Sequence, residues 1–389
     1  MNASLACLDY TNIVRGQTLI YSAGFNVSLD LKDTSRIDIE IEEIKTLSNS
    51  GCRVVILSHQ GSYKNKTACG LEYIANYLSE KISTKVTYCP ESIGNTALNF
   101  VKSLSDGDIA LLGNTRQYLG EESGCKILAG QFAKLGDFLV LGGFSKAHRE
   151  HSSNYHILDY IPSYLSVSFK KELILLDSLI NNRNEKILVV LGGIKDEKIT
   201  KGLSILIEKA DVIIPGGIVL NNILKALGFF VGDSFLGSMP NNLYKITLDI
   251  VNNKKYLKKI YIPDSLIISN GHKHKTVAVN THFPEGWKIV DFSLSKHVYI
   301  FFENCKTKVI VAGTPCDVIN KNTNALIELL QIFESYNVSP LVMGGDTIED
   351  FSGNYAKSTG GGASLSYLCD GKLPLLEKLS DNQKKFGIA

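Results

Sequence analysis

Short, β-branched apolar runs alternate with stretches of helical spacing along almost the whole chain, and this rhythm restricts the fold more than any other feature. Leu19-Ile20-Tyr21, Arg53–Leu57, Asp108–Leu112 and Phe138–Leu141 read as strands. Between them, 36–48 places Ile37, Ile41, Ile44 and Leu47 on one helical face, and 71–82 does the same with Ile74, Tyr77 and Leu78. Short continuous apolar runs separated by helices are buried on both faces, which predicts parallel strands in βαβ units. The rhythm restarts at Lys186–Leu191 and continues through 211–214, 260–263, 309–311 and 341–343. A chain of 389 residues exceeds one ordinary core. Two doubly wound α/β domains are expected, at 1–166 and 183–374. A helix within 167–182 joins them, and the polar cluster Asn181-Asn182-Arg183-Asn184 marks the boundary. The stretch 268–284, with Gly271-His272-Lys273-His274-Lys275, reads as an exposed loop or hairpin.

Hydrophobic content of 44%, charged content of 21% and a net charge of +2 describe a soluble globular protein. Nothing in that balance points to nucleic acid or an anionic membrane, so basic character must be local. The apolar runs are strand-sized, far below a membrane span. No basic segment followed by an apolar one opens the chain, so no secretory signal is expected. The eight cysteines are scattered without a Cys-x-x-Cys pair, which suits reduced thiols in a cytoplasmic protein and excludes a zinc-finger spacing.

Chemistry-bearing residues gather where strands end. Asn26, His59, Arg116 and Arg149 each follow a strand of the first half, and in an open α/β sheet the strand C-termini form the ligand crevice. Arginines converging there can fork onto a phosphate or carboxylate, and Arg36 could join them. His148 and His151 lie three apart but lack a third metal ligand nearby. In the second half, Gly192-Gly193 is followed by Lys195 and Lys198, cations suited to phosphate. Gly216-Gly217 makes a further turn that could floor a base or ribose. Near the C-terminus come Gly344-Gly345-Asp346-Thr347 and Gly360-Gly361-Gly362. Glycine turns present backbone N–H groups unshielded by side chains to an anion, and a helix starting at the second would add its positive end. Asp346 could hold Mg²⁺ against phosphate oxygens. Each feature taken singly also has a plain reading, as a connecting turn or a solvated surface charge.

The order of these segments resembles the phosphoglycerate kinase family over nearly the whole chain. Phe25-Asn26-Val27, Ser58-His59-Gln60-Gly61, Asn114-Thr115-Arg116, Ala147-His148-Arg149-Glu150-His151, Leu191–Lys195, Pro284-Glu285-Gly286-Trp287, Gly344–Thr347 and Ser358–Ser364 all fall in family order. The resemblance implies two Rossmann-like domains joined by a long helix, an active-site cleft between them that closes, and a tail at 375–389 returning to the first domain. It implies a monomer that transfers phosphoryl from Mg-ATP to a carboxylate, giving an acyl phosphate. By position, Arg36 resembles the arginine that steadies the transferring phosphoryl group. Asn26 and His59 resemble contacts to the acceptor's carboxylate end, and Arg116 and Arg149 resemble part of the patch that grips its phosphate. Lys195 resembles the lysine beside the transferring phosphate, Lys198 the second nucleotide lysine and Asp346 the Mg²⁺ ligand. Gly345 and Gly360–Gly362 resemble the backbone anion cradle, with Gly345 and Gly361, like Arg36 and Lys195, at the catalytic centre. Gly216, Gly217, Gly313, Gly344 and Thr347 complete the expected nucleotide site.

The chain also departs from the family pattern. The arginine and aspartate of the first strand turn are here Ser22 and Gly24, and the arginine after the His-x-Gly stretch is Ser62. The Asn-Gly-Pro-x-Gly-x-x-Glu segment reads Ala312-Gly313-Thr314-Pro315-Cys316-Asp317-Val318-Ile319, so Ile319 replaces the ribose-binding glutamate. Each lost charge-assisted bond should weaken 3-phosphoglycerate by about 1.5–3 kcal/mol, and losing a group that reads a hydroxyl should change the substrate. Three functions fit these residues: a carboxylate kinase of this family with a changed acceptor, a divergent glycolytic phosphoglycerate kinase, or a non-catalytic relative that binds a nucleotide or partner.

Overall fold

The computed structural model describes residues 5–10, 13–181, 185–303, 307–344, 347, 351, 353 and 355–388. The chain divides into two compact units. The first comprises Met1–Ser178 with Thr359–Ala389, and the second Leu179–Ser358.

The first unit carries six parallel strands: β1 (Thr18–Ser22), β2 (Arg53–Leu57), β3 (Val86–Cys89), β4 (Ile109–Leu112), β5 (Phe138–Leu141) and β6 (Ser163–Leu165). Their order is β3-β4-β2-β1-β5-β6. β1, β4 and β5 are buried at every position, which explains the unbroken apolar sequences of β4 and β5 and the apolar centre Leu19-Ile20-Tyr21 of β1. The chain leaves β1 toward β2 on one side and comes back to β5 on the other, so the sheet has its switch point between β1 and β5. There the strand C-termini splay and leave a crevice. The helix Ser35–Asn49 buries Ile37, Ile41, Ile44 and Leu47 as its spacing predicts, but also Glu40 and Glu43.

β6 is an edge strand, and the C-terminal helix Pro374–Lys385 covers it with side-chain amides. Asn382 accepts from the Ser163 N–H at 3.0 Å and donates to the carbonyls of Leu158 and Ile161 at 2.6 and 2.8 Å. Gln383 donates to the carbonyls of Ala6 and Ser163. The exposed edge that would otherwise template pairing is thereby satisfied.

The second unit holds β7 (Lys186–Leu191), β8 (Val212–Pro215), β9 (Ser265–Ser269), β10 (His274–Ala278), β11 (Lys288–Phe292), β12 (Thr307–Val311), β13 (Leu341–Met343) and β14 (Ala356–Ser358). Five are parallel, in the order β14-β13-β12-β7-β8, with the switch point between β7 and β12. The other three form a small antiparallel sheet, β10-β9-β11. The His272–Lys275 stretch is the turn and start of its hairpin. Asn270 Oδ1 accepts from the N–H of His272 and Lys273, and the Lys275 ammonium lies 5.0 Å from the Trp287 ring centroid. The expected strand at 260–263 reduces to one parallel bridge, Ile213 to Ile260, because Pro263 has no N–H to extend the ladder.

The linking helix runs Val167–Asn181, and the units divide inside it, between Ser178 and Leu179. Part of the expected boundary cluster, 182–184, lies outside the described residues. The C-terminal segment grouped with the first unit begins at Thr359, earlier than the tail at 375. Gly360 N–H donates to Glu172 Oε1 at 3.1 Å, and Ser364 Oγ donates to the same oxygen, which ties this segment to the linking helix.

Candidate functional site

In the first unit, the loops after β1, β2, β4 and β5 meet at the switch point. Asn26, in the β1 loop, accepts from the Gly61 N–H through Oδ1 at 3.1 Å, and its carbonyl accepts from Arg36 Nη1 at 3.0 Å. Arg36 opens the helix Ser35–Asn49, so one arginine and one amide from different elements fix the same turn. His59 is buried after β2. Burial, and then the cations Arg116, Lys146 and Arg149, hold its pKa well below the ordinary histidine value, so the imidazole is neutral. Burial and the same arginines bring His151 down to about 4.

Arg116 follows β4 in a short 3₁₀ turn capped by the Asn114 side chain. Its side chain is 4% exposed. Nη1 donates to the Gly61 carbonyl, while Nε and Nη2 have no hydrogen-bond partner. A buried guanidinium with open N–H edges is a strong anion site, because leaving those groups unpaired is costly. Arg149 donates to His148 Nε2 at 3.4 Å. Arg116 and Arg149 are close enough for each charge to act on the other, so the two arginines do converge.

Behind these groups lies a buried cluster that the sequence reading missed. Lys146, in the turn after β5, is 3% exposed, and its ammonium donates to Ser22 Oγ at 2.7 Å and to the Ala23 carbonyl at 2.9 Å. Glu40 is equally buried. Its Oε1 accepts from the Gly143 N–H at 2.8 Å and its Oε2 has no partner. Burial pushes Glu40 up to about 8 and Lys146 down to about 8, each partly restored by the other's charge. Glu121 is also raised by burial, and it accepts from Ser153 and Thr115. A signal for Glu40 was present: it falls on the Ile37–Ile44–Leu47 stripe of its helix, where a charge is out of place. Gly24 has an equally plain cause. A Cβ there would lie 2.8 Å from the Gly143 Cα, so no side chain fits.

The second unit presents backbone in place of arginines. At its switch point the loops after β7, β8 and β12 touch main chain to main chain. A Cβ on Gly192 would lie 1.9 Å from the Thr314 carbonyl oxygen, and one on Gly313 would lie 2.2 Å from that of Gly192. Gly217, at φ +51°, would meet the Gly193 carbonyl at 2.3 Å, and Gly216 would meet Pro315. Gly217 opens the helix Gly217–Ala226, whose Ile218 N–H donates to the Gly193 carbonyl at 3.0 Å, tying the helix start to the loop after β7. Lys195 lies in the turn after Gly193, and its carbonyl accepts from the Lys198 N–H at 2.9 Å. The π-helix Lys198–Leu203, rather than an α-helix, begins there, and the Lys198 ammonium donates to the Ala312 carbonyl at 2.9 Å. Gly344, at φ +96°, donates to the Ser358 carbonyl, and Thr347 is buried. Gly345 and Asp346 lie outside the described residues. The turn Gly360–Gly362 groups with the first unit, where Gly361 takes φ +52° and opens the helix Gly362–Asp370. A Cβ on Gly361 would meet nothing within 4 Å, so that face of the turn is open.

Comparison with known proteins identifies the family. The family model described as phosphoglycerate kinase matches residues 9–372. The chain belongs to the phosphoglycerate kinase family. It is 32% identical to a phosphoglycerate kinase of Thermosipho africanus over 95% of this chain and 97% of that one. It is 30% identical to that of Fervidobacterium nodosum over 96% and 98%. Solved phosphoglycerate kinases from Pyrococcus horikoshii (TM-score 0.83) and Coxiella burnetii (TM-score 0.74) share the fold at 22% identity, each covering 96% of this chain and 98% or 99% of their own. The protein is thus a phosphotransferase with a carboxylate acceptor, in a family that uses ATP and Mg²⁺. The interlocked glycines hold three loop backbones together at this switch point, with the Lys198 ammonium on the Ala312 carbonyl. Among the described residues no three His, Cys, Asp or Glu side chains cluster as a metal site, and no helix is long and apolar enough to cross a membrane.

Proposed function

We propose that this protein transfers the γ-phosphoryl group of Mg-ATP to a carboxylic acid other than ordinary 3-phosphoglycerate. The single observation that carries this reading is the rebuilt β1 turn. Ser22 and Gly24 stand where the family has an arginine and an aspartate, and the charge near Ser22 comes instead from Lys146, which is turned inward onto Ser22 and Ala23. Arg36 is retained beside it, and Lys195, Asp346 and the glycine turns are retained elsewhere in the chain.

In the reaction, a carboxylate oxygen forms a bond to the γ-phosphorus as the bond from that phosphorus to the β–γ bridging oxygen breaks, so ADP and an acyl phosphate result. A carboxylate needs no deprotonation, so positioning and charge neutralisation supply the catalysis. Asn26 orients the acceptor's carboxylate end, and neutral His59 donates or accepts a hydrogen bond there without adding charge. Arg36, held by the Asn26 carbonyl, neutralises charge on the transferring group. Arg116 and Arg149 hold the acceptor's far end. Lys195, Lys198 and the glycines Gly192, Gly193, Gly216, Gly217, Gly313 and Gly344 receive the nucleotide. Bound Mg²⁺, with Asp346 as the expected ligand, would screen the phosphate oxygens. Mg-dependent acyl phosphate formation, trapped with hydroxylamine across a panel of carboxylic acids, tests the proposal. Turnover with 3-phosphoglycerate exceeding that with every other acid would overturn the changed acceptor and favour a divergent glycolytic enzyme.

A further inference from the structure

Beside Arg116 stands a carboxylate that the assignment above does not use. Ser62 Oγ donates to both oxygens of Glu122, at 2.9 and 3.2 Å, and the Tyr63 N–H donates to Oε2 at 3.0 Å. Arg116 Nε lies 3.9 Å from Oε1, too far for a hydrogen bond but close enough for the charges to interact. Burial works against the Glu122 charge, but the Ser62 hydroxyl, the Arg116 guanidinium and the backbone of Tyr63 and Lys64 outweigh it and hold the carboxyl below the usual glutamate range. Glu122 is therefore an anion at neutral pH.

Ser62 is the position where the family carries an arginine. Here a neutral hydroxyl accompanies Glu122, and its negative charge is left to act on Arg116. The flanking imidazoles of His59 and His151 add no positive charge to the pocket. What remains around an acceptor's far end is Arg116 with two buried, unpartnered N–H edges, Arg149, and the opposing carboxylate of Glu122. Such a pocket has the hydrogen bonds to seize an anion but little charge to hold a doubly negative one.

We infer that Glu122 selects acceptors by charge: the group placed against Arg116 carries one negative charge, as a carboxylate does, and a phosphate dianion is disfavoured. This rests on reading the first unit as the acceptor half of a carboxylate kinase. It narrows the substrate class to acids bearing a second, monoanionic end. At an effective dielectric constant of about 20, a unit charge within about 8 Å changes the binding of each additional anionic charge more than tenfold.

The test is calorimetric titration of the full chain with two probes, 3-phosphoglycerate and 2-hydroxyglutarate, the latter ending in a carboxylate in place of a phosphate. Glu122→Gln keeps an oxygen to accept from Ser62 and Tyr63 while removing the charge. It is expected to tighten both probes, and 3-phosphoglycerate at least tenfold more than 2-hydroxyglutarate, because the phosphate carries one more anionic charge. Glu122→Asp, which keeps the charge, should retain the wild-type ratio of the two dissociation constants. An unchanged ratio in Glu122→Gln, or weaker 3-phosphoglycerate binding, would overturn the inference and leave Glu122 as a positioning residue for Arg116. Failure of both probes to bind any of the three proteins, with Mg-ATP still binding, would instead overturn the acceptor assignment beneath it.

Discussion

Lys146→Met removes the ammonium from a buried cluster while nearly conserving side-chain length and volume, so its effect is electrostatic more than steric. Two Nζ–H bonds are lost, to Ser22 Oγ at 2.7 Å and the Ala23 carbonyl at 2.9 Å. Ser22 Oγ still donates to the Ser153 carbonyl and the Ala23 carbonyl still accepts from Ser58 Oγ at 3.4 Å, so the lost bonds cost toward the low end of about 1–3 kcal/mol each, and relief from burying an ammonium offsets part of that. A net loss of about 1–3 kcal/mol is expected near neutral pH. The pH dependence is the sharper part. Glu40 has a folded pKa raised to about 8, above its unfolded value, so its contribution is present below the unfolded value and lost as pH rises through about 8. Without the ammonium its folded value moves higher still, and the variant goes on losing stability past pH 8. Lys146 has a folded pKa lowered to about 8, so the wild type regains stability above that pH as the folded amine sheds its proton and the unfolded one keeps it. Both effects widen the gap in the same direction. Each effect contributes up to one proton of difference, worth about 1.4 kcal/mol per pH unit, so the gap grows by about 2–4 kcal/mol between pH 8 and 9.5. Urea unfolding followed by far-UV circular dichroism reads this as about 1–2 M in midpoint, at an m-value of about 2 kcal/mol/M. Trp287, the single tryptophan, lies in the second unit and gives a reference signal in the same sample. A gap constant from pH 6.5 to 9.5 would refute the reasoning.

Three further outcomes are expected. Arg36→Ala should lower kcat by about 10²–10³, the usual effect of removing one charge-stabilising donor, with the Mg-ATP dissociation constant within twofold; equal losses in both would contradict its place at the transferring group. Gly192→Ala forces a Cβ to within 1.9 Å of the Thr314 carbonyl oxygen and should cost about 3 kcal/mol, seen as a lower Trp287 fluorescence midpoint; Gly94→Ala, at φ +76° in open space, should cost only about 1–2 kcal/mol. Asn382→Ala removes three hydrogen bonds to residues 158–163 and should speed amide exchange at Ser163 at least tenfold, with exchange in β12 unchanged.

The strands that were legible are those whose sequence carries their burial. Arg53–Leu57 and Phe138–Leu141 are apolar because both faces are covered, and each is found where the pattern puts it. β3, β6 and β14 were not legible. Val86–Cys89, Ser163–Leu165 and Ala356–Ser358 are short strands at the sheet margins with polar residues among them, and a neighbour's hydrogen bonds define them more than their own composition. Site residues divided in a similar way. Asn26, His59 and Arg116 follow strand ends and could be placed by topology alone. Lys146 could not, because its partners Ser22 and Ala23 are over 120 positions away and meet it only when β5 pairs with β1.

Lys146 and Glu122 bear on the same question from two sides. A buried ammonium is expensive unless paired and hydrogen-bonded, and Lys146 spends its bonds on the Ser22 hydroxyl and the Ala23 carbonyl. Both belong to the turn that carries Asn26. Its charge thus fixes the turn from behind, whereas an arginine at residue 22 would belong to the acceptor's own patch. At residue 62 the neutral Ser62 hydroxyl leaves Glu122 set against Arg116 alone. On the proposed reading, each change lowers the positive charge offered to an acceptor, and neither touches Asn26 or His59, the residues assigned there to its carboxylate end. Under that proposal the two changes together would weaken the grip on a phosphate more than the grip on the reacting carboxylate, the pattern expected when the chemistry is kept and the acceptor's distal group has lost charge.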